Sequence, residues 1–379
     1  MSKTILKAFK YRIYPDKQTE HFLICQFGCC RWVYNHALEL VYDHLEKTGE
    51  FINAMETNKA LPILKKQEET KWLGEVIAQP LQVAGQNAEK AFQNYFKKKG
   101  KKPRFKSRKS RQCFMIPQNA RIEDGKLWIP KVKKGIKIVI SREIQGKIKY
   151  VHISKNPAGE FFASFTCEVE IEPYAKTGKK TGVDVGLKEA AILSDGQKFA
   201  NAKPLRGLEK KLKFEQRRLS RQQKGSRSRE KQRRKVARLH NRIRNIRHDN
   251  IHKITTDIVK SHNLCAVESL AVKNMMQNHC LAKAFSDASL GELLRQLKSK
   301  CEWHDRDFMP IGRFFASSQL CHVCGWQHKE LTLKDREWTC LCCHTHHDRD
   351  VNAAKNILAE GLKILSGSGT ESDTKQKEG

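Results

Sequence analysis

Long apolar runs are missing from this 379-residue chain. No stretch approaches the roughly 18 consecutive apolar residues of a transmembrane helix, which argues against a helical membrane protein. The opening residues MSKTILKAFKYRIYP contain neither an apolar signal core nor a small-residue cleavage site, so no secretory leader is expected. The expected compartment is the cytoplasm, in association with the nucleoid. Acidic residues are short relative to basic ones, 41 against 73, which leaves a formal charge of +32. A charge of that size says little about fold and much about partners: it suits a nucleic-acid polyanion better than a membrane surface. An even, regularly spaced set of cysteines is missing too. There are thirteen, and eight of them (Cys25, Cys29, Cys30, Cys113, Cys167, Cys265, Cys280 and Cys301) are scattered, mostly among apolar neighbours. These read as small buried hydrophobes in a reducing compartment rather than as a disulfide framework.

What is present divides the chain. Phe9, Tyr11 and Ile13 alternate with Lys10 and Arg12, the pattern of a half-buried strand. Pro15-Asp16 ends it and can cap a helix. Leu23, Phe27, Cys30, Tyr34, Ala37, Val41 and Leu45 then follow at helical spacing, and Leu81, Ala88, Phe92 and Tyr95 repeat the pattern. Residues 97–111 (KKKGKKPRFKSRKSR) hold ten basic residues, no acid and one aromatic, Phe105. Short β-like runs occupy 112–172, which predicts a small barrel completed by the first strand, with the helices as an insertion. Residues 203–247 carry 19 Lys/Arg against 3 Asp/Glu, half the excess charge of the whole chain. Leucine and isoleucine stripes on either side of Gly225-Ser226 predict a helical hairpin with one apolar seam and a basic exterior. Phosphate-backbone contact is expected from Arg104, Lys106 and Arg108 in the first basic segment. In the hairpin it is expected from Arg217, Arg218, Arg233, Arg234 and Lys235.

The other five cysteines crowd into residues 321–343. Cys321-x2-Cys324 and Cys340-x2-Cys343 are separated by fifteen residues. Two residues between thiolates let a tight turn aim both sulfurs at one ion, and two such knuckles complete the tetrahedral set of structural Zn²⁺. Cys342 is an extra thiol inside the second knuckle. His344, His346 and His347 lie close by and are expected outside the ligand set.

Three acids stand in unusual settings. Asp184 interrupts the apolar strand GVDVG, and Glu268 ends the apolar run NLCAVE. A carboxylate in such a strand is costly unless it is paired or bound to metal. Asp350 opens the helical pattern RDVNAAKNIL, where the helix dipole favours an acid. Each has an ordinary structural explanation, but together they suggest an RNase H-like site in which few carboxylates hold divalent ions.

KAFKYRIYPDKQ, CRWVYN, KPRFKSRKS, GVDVGLK, VESLAVKNM, SSQLCHVCG and LTLKDREWTCLCCHTHHDRDVNAAKNIL resemble the OrfB/TnpB family of insertion-sequence proteins, relatives of type V CRISPR effector nucleases. The resemblance implies an α/β multidomain chain. A wedge-like β-barrel would occupy 1–15 and 105–176, with a helical recognition insertion at 16–104. A RuvC nuclease domain would cover 177–320 and 344–365, with the basic hairpin inside 203–260. The zinc ribbon would span 321–343 and a disordered tail 366–379. It also implies catalytic Asp184, Glu268 and Asp350 with Mg²⁺, which Mn²⁺ could replace, and a structural Zn²⁺ on Cys321, Cys324, Cys340 and Cys343. The implied partners are a noncoding guide RNA from the element's end and a target DNA, with no membrane. The implied activity is RNA-guided DNA cleavage. A non-cleaving regulator and a strand-transfer transposase are the alternatives. The chain departs from the family pattern at His344, where glycine is usual, at the extra Cys342, and at Ala316 in place of proline.

Overall fold

A computed structural model of the chain describes residues 2–367 except 278 and 333. The expected disordered tail, 366–379, lies outside these residues apart from Ser366 and Gly367. The chain divides into two compact units, one over Thr4–Glu170 and the other from Ile171 onward with the first three residues. No helix among the described residues is long and apolar enough to cross a membrane.

In the first unit, β1 (Lys3–Tyr14) buries Phe9, Tyr11 and Ile13, the alternate positions of its apolar face. Asp16 then caps α1 (Lys17–Thr48) by accepting from the Thr19 amide at 2.8 Å. Leu23, Phe27, Cys30, Tyr34, Ala37 and Val41 form the buried stripe of α1, with α2 (Ala54–Leu64) and α3 (Ala78–Phe96) beside it. Tyr95, the last member of the α3 stripe, is exposed. Six strands follow: β2 (Gln112–Ile116), β3 (Arg121–Glu123), β4 (Lys126–Trp128), β5 (Ile136–Val139), β6 (Lys147–Lys155) and β7 (Phe161–Ile171). They form one sheet with β1, in the order β2-β6-β7-β1-β5-β4-β3. The barrel predicted from sequence is therefore a half-barrel, with β1 inside it and β2 and β3 at its edges. The strand β3, three residues long, pairs with β4 on one side and with no strand among the described residues on the other. Phe27 joins helices to sheet, with ring centroids 5.3 Å from Phe114 and 6.4 Å from Phe161.

The second unit is built on β8 (Lys180–Asp184), β9 (Glu189–Leu193), β10 (Lys198–Ala200), β11 (Leu264–Glu268) and β12 (Asp307–Ile311), in the order β10-β9-β8-β11-β12. The strands β8, β11 and β12 are parallel to one another, whereas β9 and β10 run antiparallel. Between β10 and β11 come α4 (Pro204–Arg221) and α5 (Arg227–Ser261); between β11 and β12 come α6 (Val272–Met275), α7 (Ala282–Ala288) and α8 (Leu290–Trp303). Ile251, Ile254, Ile258 and Val259 of α5 and Leu293, Leu297 and Cys301 of α8 share one core with Val183, Ala191, Leu193, Cys265 and Val267 of the sheet. A second core, Leu264, Ala266, Ile311 and Ile357, lies under α9 (Arg349–Leu365). There α9 comes so near β8 that a Cβ on Gly182 would collide with the Ala354 carbonyl, so only glycine allows the contact. A two-stranded sheet pairs β13 (Glu337–Thr339) with β14 (His346–Asp348). It extends past the predicted ribbon boundary at 343, and β14 runs directly into α9.

Candidate functional site

Asp184 is the last residue of β8 and Glu268 the last of β11. These neighbours are parallel, with Val183 opposite Val267, so the two acids leave the sheet at the same edge. Asp350 lies in the first turn of α9, the helix packed on β8. Three segments far apart in sequence thus bring their acids within electrostatic reach. Burial, followed by the charges of Glu268 and Asp350, pushes Asp184 up to about 7 from 3.8, against the opposing pull of Arg349 and the Val185 amide. Burial also raises Glu268, opposed by a hydrogen bond that the Ser317 hydroxyl donates to its carboxylate.

The chemistry of this donor set fits a hard divalent cation. Half-buried carboxylates that crowd Asp184 are what such an ion would neutralise, and their oxygens are the ligands Mg²⁺ prefers. Further residues frame the acids. Arg336 approaches Asp350 at 3.7 Å. Asp348 is the N-cap of α9, accepting from the Asp350 and Val351 amides, and it also holds Lys198. A sequence signal for this cap existed, an aspartate just ahead of an apolar-periodic run. None existed for Ser317 or Lys198, whose roles come from tertiary packing.

The sulfurs of Cys321, Cys324, Cys340 and Cys343 all lie within 4.8 Å of one another, and two of the pairs are at 3.5 and 3.6 Å. Tetrahedral zinc, with Zn–S of about 2.3 Å, sets its sulfurs about 3.8 Å apart, so the quartet fits the ion. Among the described residues it is the one cluster of metal-ligand side chains that closes this tightly; the three acids stand further apart. The two knuckles have matching backbones. Gly325 donates to the Cys321 carbonyl at 2.9 Å and His344 to the Cys340 carbonyl at 3.0 Å. Both residues are left-handed, at φ 77° and 56°. His344 thus occupies a conformation that favours glycine. Cys342 and His346 are exposed, whereas His347 is buried with its Nε2 3.1 Å from the Cys321 sulfur.

Leu205, Leu208, Leu212 and Leu219 of α4 meet Val236, Leu239 and Ile243 of α5 along one seam; Ile246 is exposed. Asp287 anchors the base of this hairpin, accepting from the Leu205 and Arg206 amides and from Arg247 at 3.0 Å. Arg217, Arg218, Arg233, Arg234 and Lys235 are all exposed. Glu230 already engages Arg233 at 2.7 Å and Arg234 at 3.4 Å, which leaves Arg217, Arg218 and Lys235 as the freer charges. In the first unit Arg104 and Arg108 are exposed. The Lys106 backbone is gripped by the Asn35 side chain, and its ammonium lies 3.4 Å from the Tyr34 ring centroid.

Comparison with known proteins gives the chain its class. A family described as "Probable transposase" (OrfB_IS605) matches residues 164–279, and a "Cas12f1-like, TNB domain" matches 291–357. A "Helix-turn-helix domain" of the same group matches 1–50, which here fold as β1 and α1. A "Putative RNA-guided DNA endonuclease" of Streptomyces pristinaespiralis is 40% identical over 366 residues, covering 96% of this chain and 91% of that protein. The "Putative RNA-guided DNA endonuclease InsQ" of Escherichia coli K12 is 32% identical, covering 95% and 94%. A chain in a solved Cas12f1–sgRNA–target DNA complex aligns with 93% of this chain at 16% identity and a TM-score of 0.37. The chain belongs to the OrfB/TnpB family of insertion-sequence proteins.

Proposed function

We propose that this protein is an RNA-guided DNA endonuclease in which Asp184, Glu268 and Asp350 hold Mg²⁺, or Mn²⁺ in its place. The observation that carries the reading is the convergence of three acids from separate segments, with the central one pushed up to about 7 by burial and by the other two. A protein that only binds nucleic acid has no use for so costly a cluster. The names of full-length relatives at 40% and 32% identity support the same reading.

When bound, the divalent ions supply the positive charge that activates water and stabilises the leaving oxygen of a phosphodiester. The protein's part is to hold and orient. Asp184 and Glu268 fix two ligand groups on one sheet edge, and Asp350 adds a third from α9. Ser317 steadies Glu268, and Arg336 balances the charge of Asp350. In this reading the sheet of the second unit, over 177–320 and 344–365, is an RNase H-like RuvC domain. The quartet Cys321, Cys324, Cys340 and Cys343 carries structural zinc. The half-barrel of the first unit is the wedge, and its helices over 16–104 form the recognition insertion. Arg104, Lys106, Arg108 and the hairpin charges of Arg217, Arg218, Arg233, Arg234 and Lys235 follow nucleic-acid backbones. The guide comes from the end of the element.

The test is to purify the chain from cells carrying its element, sequence the RNA that accompanies it, and offer DNA matched to that RNA. The expected outcome is one discrete noncoding RNA and Mg²⁺-dependent cutting of matched DNA alone. Retention of the matched DNA without cutting, with Mg²⁺ and Mn²⁺ both supplied, would instead make the protein a binding regulator.

A further inference from the structure

Asp348 and Lys198 lie outside the three acids, yet they complete a closed circuit through two of them. One carboxylate oxygen of Asp348 accepts from the Asp350 amide at 3.0 Å and the Val351 amide at 3.1 Å, which fixes the first turn of α9. The other accepts from the Lys198 ammonium at 2.6 Å. Lys198 opens β10, where it is the ladder partner of Ile192 on β9, and Ile192 is the partner of Asp184 on β8. Residues facing each other across a sheet project to the same side, with strands about 4.8 Å apart. Asp184, Ile192 and Lys198 therefore form one row across the sheet, with the acid at one end and the ammonium at the other.

We propose that Asp348 is a positioning residue held by Lys198, and that the pair sets the spacing between Asp184 and Asp350 at which the acids take a divalent ion. The inference rests on the reading of these acids as the metal-binding site. Asp350 is tied to Asp184 twice. Directly, the Asp350 charge acts on the Asp184 carboxyl. Indirectly, the row on the sheet, the Lys198–Asp348 pair and the helix cap hold them at a set distance. Without Lys198 the cap survives, but the N-terminus of α9 loses its tie to the β10 edge. The pair is partly exposed, with side chains 46% and 37% accessible. Such a pair adds little to stability. Its effect is geometric: the orientation of the ligand carried by α9.

The test uses the full-length, zinc-loaded chain and Mn²⁺ as the probe, with the dissociation constant read by electron paramagnetic resonance of the free ion. Lys198→Gln should weaken Mn²⁺ binding about tenfold, in the range found when groups that orient metal ligands are removed. Its melting temperature should barely change, and Lys198→Arg should restore the affinity. Asp348→Asn keeps a capping oxygen but loses the charge that holds Lys198, so it should match Lys198→Gln. The double variant should be no weaker than either single one. Asp184→Ala is the reference. If it loses Mn²⁺ while Lys198→Gln and Asp348→Asn bind like the wild type, the positioning role is overturned. If Asp184→Ala itself binds Mn²⁺ normally, the metal-site reading beneath it falls as well.

Discussion

The four clustered thiols and the three acids belong to one unit of the molecule, but they are held in opposite ways. The thiols come from two matching knuckles within 23 residues, each closed by its own backbone hydrogen bonds, and they gather within 4.8 Å. The acids come from β8, β11 and α9, more than 160 residues from first to last, and they stand further apart. No local turn holds them; the sheet register, the Gly182 contact and the α9 cap do. A site that four ligands can close suits an ion that stays. A site of spaced and repelling carboxylates suits ions that must leave room for water and substrate.

Breaking the closed site should have the largest effect. Cys340→Ser should cost the chain its zinc, because the binding free energy of a structural site, on the order of 10 kcal/mol, is also folding free energy. Elemental analysis should find one zinc per wild-type chain and a loss of most of it in the variant, with earlier melting. A variant that keeps both zinc and stability would contradict the quartet.

The open site should respond to pH. The folded state holds Asp184 at about 7 against a reference of 3.8, so folding favours its protonated form. That contribution is complete below the reference value and is lost as pH rises through about 7. It amounts to about 4 kcal/mol at full size. Without Mg²⁺, stability should therefore fall across this window, and Asp184→Asn should flatten the decline. Added Mg²⁺ should stabilise the wild type more at alkaline than at acid pH, where protons compete for the carboxylate. Melting curves across pH with and without Mg²⁺ measure all three effects.

The smallest effect sharpens the match between the knuckles. His344 is left-handed and exposed where its counterpart is Gly325. His344→Gly should gain up to about 1 kcal/mol, the relief of the left-handed strain less the entropy that glycine costs. Gly325→Ala should lose about as much. Thermal melting of the two variants compares them, and destabilisation by His344→Gly would mean that its side chain holds the turn.

This contrast also marks what the sequence could reveal. The knuckles are local, so their spacing and the glycine at 325 point to a metal quartet without any knowledge of the fold. The alternation of Phe9, Tyr11 and Ile13 and the seam through Leu212, Val236 and Ile243 are legible for the same reason: each element repeats its own burial period. The open edge of the half-barrel is not, because strand runs in a sequence do not state which pairs with which. Nor are Ser317 on Glu268, Lys198 on Asp348 or Glu230 on Arg233 and Arg234. The first two contacts cross many residues, and the third depends on which of several neighbouring cations an acid selects. Asp348 lay between these cases. Its capping position could be read, but its second partner, 150 residues away, could not.

The most direct test of the three-acid site is to load wild type and Asp184→Ala with the same guide RNA. Binding and cutting of one matched DNA are then measured side by side in Mg²⁺. Asp184→Ala should bind about as well as the wild type, since the nucleic-acid contacts proposed above are basic side chains and not this carboxylate. It should cut slower by orders of magnitude, the consequence of losing several kcal/mol of transition-state stabilisation. Near-normal cutting by Asp184→Ala would contradict the assignment of this carboxylate, and with it the site.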